Sequence, residues 1–300
     1  MQSKLIKLTF LFLLVSCSFL AYSCQNTQKK TTKDQLKTQK ITGDRGSKQV
    51  KSIFYNIPSP IVVTNIIETM NLAYNPDLLN PVSNAENYLS QADLSLNLGV
   101  YGADLSYIRI YEQFQDAARY LAIIKKFTRE LGIPEEQEKK TAQRIESNIE
   151  NRDSLVQIIT ETFTNSDSYL KENQRGGTAS LIIFGGWVET LYLATNIQEL
   201  NQSKKELIDL IVQQKHSVKN LVKLLNQYPD EPKIAKLLPD LRELENKFNQ
   251  IKSKRSPNTK VEKQKGKTFI RNKVTHQIPS SLLLEIKELN DRLRGKLIQL

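Results

Sequence analysis

The chain has little of what most enzyme and metal sites are made from. Its 300 residues include two Cys, two His, two Met and one Trp. So few Cys and His exclude a Cys/His zinc module and a disulfide scaffold, and two Met exclude a Met-rich binding surface. The Glu-x-x-His element of two-metal helical bundles is missing, because neither His216 nor His276 follows a Glu by three residues. There is no G-x-S-x-G nucleophile elbow and no G-x-x-x-x-G-K-[ST] phosphate loop. The residues therefore predict no metal site, no cofactor and no nucleophilic catalytic machinery. No internal repeat is visible, and strand-forming runs are scarce; Thr268-Phe269-Ile270 is the best of them.

Both cysteines lie at the N-terminus, beside the longest apolar run. Lys4 and Lys7 precede Leu8–Leu14, which continues through Val15 towards Leu20. This order, basic then apolar then polar with no stop-transfer segment, predicts a secretory signal over residues 1–23. Cys17 follows Leu14-Val15-Ser16, and Cys24 follows Ala21-Tyr22-Ser23. A small residue before Cys at the end of such a run looks like the lipobox of bacterial lipoproteins. Cys24 is the preferred lipid acceptor, because cleavage there leaves a polar tether. Cys17, whose preceding residues fit the lipobox better, is the alternative. Ordinary signal cleavage with two bystander thiols is the competing reading.

The net charge of +11 is unevenly spread. Residues 25–51 carry eight basic and two acidic groups, and residues 252–273 carry nine basic and one acidic, whereas residues 52–251 sum to −6. No basic residue occurs between Lys51 and Arg109, where Glu68, Asp77, Glu86, Asp93 and Asp104 all lie. A nucleic-acid-binding domain concentrates its basic groups on a folded face, often with aromatics between them. Here they fall in two segments without apolar periodicity, so no nucleic-acid partner is expected. These segments read as solvated linkers, with anionic lipid head groups as the alternative contact.

The apolar spacing predicts an all-α, multi-helix bundle of six to eight helices on a disordered N-terminal tether. The division is a signal peptide at 1–23, a lipidated tether at 24–52, a helical domain at 53–250, a basic linker at 251–275 and a C-terminal amphipathic helix at 276–300. A short helix is expected over 61–74, then a loop-rich stretch over 75–100. One long helix follows from about Ala103 to Leu131, stopped by Gly132. Others are expected from Pro134 to Phe163, over 167–173 and from Thr178 to Asn196. Lys204–Gln227 has Leu207, Ile211, Val218, Leu221 and Leu225 on one side, and Ile234–Ile251 contains Pro239. In the last helix Leu282, Ile286, Leu289, Leu293 and Leu297 form one stripe.

Four groups of residues invite a chemical reading. Gly185 and Gly186 interrupt the most apolar helix, with Glu189 and Tyr192 one and two turns on. Adjacent glycines inside a helix imply a close neighbour, either a ligand or another helix. Tyr101, Asp104 and Tyr107 follow a glycine-punctuated segment and would form a polar pocket wall, or a helix start with half-polar core tyrosines. Arg175-Gly176-Gly177-Thr178 would suit an anion at a helix N-terminus, or a plain glycine stop followed by a cap. Arg109, Glu112, Asp116 and Arg119 alternate in sign and read as a solvated face.

Several strings resemble a group of uncharacterised exported or lipid-anchored helical proteins of Bacteroidota. They are Tyr55-Asn56-Ile57-Pro58-Ser59-Pro60, Asn80-Pro81-Val82, the run from Leu98 to Tyr107, Asn151-Arg152-Asp153-Ser154-Leu155 and Gly185-Gly186-Trp187. The resemblance covers about residues 53–200. It implies an envelope lipoprotein and adds no catalytic residue. The leading expectation is a non-catalytic domain, held at a membrane by its N-terminal lipid, that binds an envelope protein or an unidentified small molecule. The alternatives are an enzyme using carboxylates such as Asp104 and Glu189, and a structural tether acting through its last helix.

Overall fold

A computed structural model describes residues 60–134, 175–197, 205–264 and 267–299, together with the single positions 144, 147 and 154. The expected signal, the tether and the helices expected over 134–163 and 167–173 lie wholly or almost wholly outside those residues. All the described residues belong to one compact unit, Tyr55–Leu300.

The fold is an all-α bundle. Its helices are α1 (Pro60–Thr69), α2 (Gln91–Ile110), α3 (Phe114–Glu130), α4 (Gly176–Asn196), α5 (Lys205–Leu225), α6 (Pro232–Asn249) and α7 (Ser280–Ile298). Short 3-10 turns at Pro76–Leu78 and Val82–Glu86 punctuate the loop between α1 and α2. Helix α4 is the axis: α2 packs along it most extensively, and α7, α5 and α1 also lie against it. Its apolar residues run all round, as a helix surrounded by protein requires. By length and composition α4 would also suit a membrane span, but 78% of its most apolar window is buried by the protein itself.

The outer helices have the opposite design. On α5, Leu207, Leu210, Ile211, Val218, Leu221 and Leu225 face inward while its charged residues face out. Helix α7 packs back onto the bundle: Leu282, Leu283, Ile286, Leu289, Leu293 and Leu297 are all buried against α6, α4 and α2. Pro239 is carried inside α6 without ending it.

Two expectations about elements are corrected. The helix expected from Ala103 to Leu131 is two helices, and the first begins twelve residues earlier. Ser90 caps α2 by accepting from the Asp93 amide at 3.0 Å. Glu112, at φ 54°, then turns the chain before α3. Gly132, at φ +67°, ends α3 in the left-handed conformation that glycine reaches without a Cβ penalty. Secondly, the segment read as a basic linker pairs with itself. Strands β1 (Lys252–Gln264) and β2 (Lys267–Gln277) form an antiparallel hairpin between α6 and α7. An irregularity between Arg255 and Thr259 falls at Ser256-Pro257-Asn258, where Pro257 has no amide to give the ladder.

Candidate functional site

The two glycine-bearing sequences meet each other. At the crossing of α2 and α4, a Cβ added to Gly99 would overlap the carbonyl oxygen of Ile182 and the amide of Gly186. One added to Gly185 would overlap the carbonyl oxygen of Leu96, and one on Gly186 would come within 3.3 Å of the Gly99 oxygen. The notch beside Glu189 is therefore filled by the backbone of α2. Glycines that look like loop punctuation at 99 and 102 lie within a buried helix surface.

That close approach brings Asp104 of α2 and Glu189 of α4 together, and α7 supplies the cation between the helices. Arg294 donates from Nε to Glu189 Oε2 at 2.7 Å and from Nη2 to Glu189 Oε1 at 2.8 Å. Nη2 also donates to the carbonyl of Leu78 at 3.0 Å, in the loop before α2. The guanidinium carbon lies 3.8 Å from the centre of the Tyr192 ring, so Tyr192 stacks on the cation. The Glu189 side chain is fully buried and that of Arg294 is 9% exposed. An Arg–carboxylate fork this deep is worth little net stability, because desolvation offsets the attraction, but losing one partner is costly.

Asp104 is equally buried. Its Oδ2 accepts from the Asn80 amide at 3.1 Å, while its Oδ1 has no conventional hydrogen-bond partner. Burial, and then the neighbouring Glu189 charge, push the Asp104 carboxyl well above the ordinary range; Arg294 and the Asn80 amide pull the other way and lose. A protonated Asp104 resolves the site, since its O–H can donate to Glu189 while Arg294 neutralises Glu189. The pair then holds one negative charge opposite one positive charge.

Tyrosines seal the same region. Tyr101 donates to the carbonyl of Pro81 at 2.9 Å and Tyr120 to that of Asn80 at 2.8 Å. Tyr107 accepts from the Asn75 amide at 3.1 Å, and Tyr74 donates to Asp116 Oδ2 at 2.8 Å. Burial raises the pKa of each of these phenols, so they stay neutral. Asn80 is the hub of this loop. Its Nδ2 lies 3.1 Å from the Tyr88 oxygen, and its Oδ1 accepts from Asn84 Nδ2 at 2.8 Å. Tyr88 donates onward to the carbonyl of Ile298 at 3.0 Å, tying the loop to the end of α7.

The proposed pocket residues Tyr101, Asp104, Tyr107, Gly185, Gly186 and Glu189 thus share one interior, with Tyr192 at its edge, and the contacts described are with other parts of the chain. The Arg175–Thr178 corner is separate. Arg175 donates to the carbonyl of Leu131 and, at 3.2 Å, to Gln91 Oε1. Its cation serves the carbonyl end of α3, where positive charge is favoured. A Cβ on Gly176 would strike the Tyr228 hydroxyl. Of the sign-alternating residues, Asp116 pairs with Arg119 as expected, whereas Arg109 is buried and donates to Asn65 Oδ1 at 2.9 Å.

Sequence reasoning missed Arg294, Asn80 and Asn290. The available signal was polar residues inside an apolar stripe. Asn290 and Arg294 are one turn apart among the buried leucines of α7, and Asn290 donates to the carbonyl of Val188 at 3.1 Å. Among the described residues, no three His, Cys, Asp or Glu converge as metal ligands. No family model, no curated protein and no solved structure matches the chain.

Proposed function

We propose that this chain is an exported cell-envelope lipoprotein, anchored through Cys24, whose helical domain binds a partner without catalysing a reaction. The observation supporting the non-catalytic reading is the use made of Glu189. Both its oxygens are taken by Arg294 in the interior, and the neighbouring acid and phenols are spent joining α2, α4, α7 and the 75–90 loop. The anchor reading is supported by the Lys4/Lys7, apolar-run and Cys order of the first 24 residues and by the Bacteroidota resemblance.

Labelling cells with a fatty-acid analogue tests the anchor. Label should be retained in the Cys17→Ser protein and lost in the Cys24→Ser protein; an unlabelled wild type would refute it. Binding is tested by cross-linking the full-length protein in its native envelope. One recurrent partner, recovered again by the reciprocal pull-down, is expected.

One observation favours a second reading. A buried carboxyl pushed well above the ordinary range beside a carboxylate is an arrangement that acid–base enzymes use. An enzyme of that kind would lose turnover in Asp104→Asn while keeping its fold, and a co-purified small molecule would supply the substrate to assay.

A further inference from the structure

Hairpin β1–β2 is the most strongly charged part of the helical unit. Residues 252–273 hold Lys252, Lys254, Arg255, Lys260, Lys263, Lys265, Lys267, Arg271 and Lys273 against the single acid Glu262. The strands pack mainly on each other; among the described residues no helix lies extensively against either. Within the described residues the sheet has these two strands and no third.

Such an element is poorly stabilised by its own chemistry. A lone two-stranded hairpin is marginal in water. Here the register also sets Lys260 directly opposite Arg271, a like-charge pair that disfavours the ladder. The next positions pair Val261 with Ile270 and Glu262 with Phe269. A polyanionic surface would relieve the Lys260–Arg271 repulsion and stabilise the pairing.

We propose that hairpin β1–β2 is a docking arm for anionic lipid head groups at the membrane to which the chain is tethered. The choice of lipid rests on the anchor reading above. A chain held at a bilayer by residue 24 also brings the basic 25–51 segment to the same surface, while residues 52–251, at −6, are repelled from it. Each Lys or Arg near an anionic bilayer adds to the attraction, which falls off within a Debye length.

The test is co-sedimentation of the full-length protein with phosphatidylcholine vesicles, with and without phosphatidylglycerol, at low and high NaCl. The N-terminal apolar run contributes to both vesicle types, so the readout is the anionic-to-neutral binding ratio. Two variants are compared with wild type. One is K260Q/K263Q/R271Q/K273Q in the hairpin, and the other is K29Q/K30Q/K33Q/K37Q in the tether. The hairpin variant should lose at least tenfold of the ratio while keeping wild-type helical circular dichroism. Wild type should lose its preference at high salt. An unchanged ratio in the hairpin variant, or a loss confined to the tether variant, overturns the proposal. So does tighter binding to duplex DNA than to anionic vesicles at matched salt. Because the ratio is read whether or not Cys24 is acylated, a failed anchor shows in the labelling experiment and a failed docking arm shows here.

Discussion

Arg294 closes a two-pronged ion pair on Glu189 across 105 residues of chain, linking the last helix to the central one. The same guanidinium reaches the carbonyl of Leu78, so one side chain holds α7, α4 and the loop before α2 in register. Charge placed this deep fixes geometry more than it adds stability.

Replacing Arg294 by Met should therefore destabilise the protein by about 3–5 kcal/mol, because Glu189 is left charged and unpaired in the interior. The paired change Glu189→Met with Arg294→Met should recover most of that loss, since an apolar pair of similar volume has no charge to desolvate. Urea unfolding followed by circular dichroism measures both. A small effect for Arg294→Met alone would show that Glu189 has another route to neutrality.

The α2–α4 crossing predicts an order among glycine substitutions. Gly99→Ala and Gly185→Ala drive a methyl into opposing backbone, which cannot swing aside as a side chain does. Each should cost about 3 kcal/mol or more, at the upper end of overpacking. Gly186→Ala meets the Gly99 oxygen at 3.3 Å and needs only a small shift. Alanine's better helix propensity, about 1 kcal/mol, offsets that strain and leaves Gly186→Ala close to neutral. Equal losses at all three positions, in the same unfolding assay, would contradict this geometry.

The loop over 75–90 should loosen when Asn80 loses its side chain. Asn80→Ala removes the link from Asn84 to Tyr88 but leaves the Asn80 backbone contacts with Asp104 and Tyr120. A loss of about 1–3 kcal/mol is expected from the polar partners left behind. Hydrogen exchange should accelerate over residues 78–90 before it changes in α5 or α6. Uniform acceleration would mean that the loop and the bundle open together.

These relationships differ in how visibly they are written in the chain. The stripes of α5 and α7 are legible because burial repeats at helical spacing, and Gly132 is legible because a helix end needs a residue that tolerates positive φ. The start of α2 was hidden because Gly99 and Gly102 resemble loop residues until the opposing Gly185–Gly186 surface is in place. Hairpin β1–β2 lacks apolar alternation, so its strands had no periodic signal. In the candidate site, Asp104 and Glu189 stood out as carboxylates beside glycine. Their partner Arg294 did not, because pairing over 105 residues depends on how α7 docks and leaves no local trace beyond a polar residue in a leucine stripe.

Asp104 sets the direction of one pH dependence. Its carboxyl is raised in the folded state, by burial first and by Glu189 next, above the value of about 3.9 for an unfolded Asp. Between those two values the folded protein holds a proton that the unfolded chain has released. Stability from this group is then fully present below the unfolded value, declines as pH rises through the interval, and levels off above the folded value. Asp93 acts oppositely. Burial opposes its ionisation, but hydrogen bonds from Lys233 and Ser90 outweigh that and lower its pKa, so its contribution is lost as pH falls. Asp104→Asn separates the two. The amide can still accept from the Asn80 backbone and donate towards Glu189, so it mimics the protonated acid at every pH. The Asn variant should match wild type near pH 4, exceed it at pH 8, and lose the downward slope between them. Thermal midpoints at four pH values spanning that range decide the matter. Parallel curves for the two proteins would mean that Asp104 is ionised in the fold and that Arg294 neutralises both carboxylates.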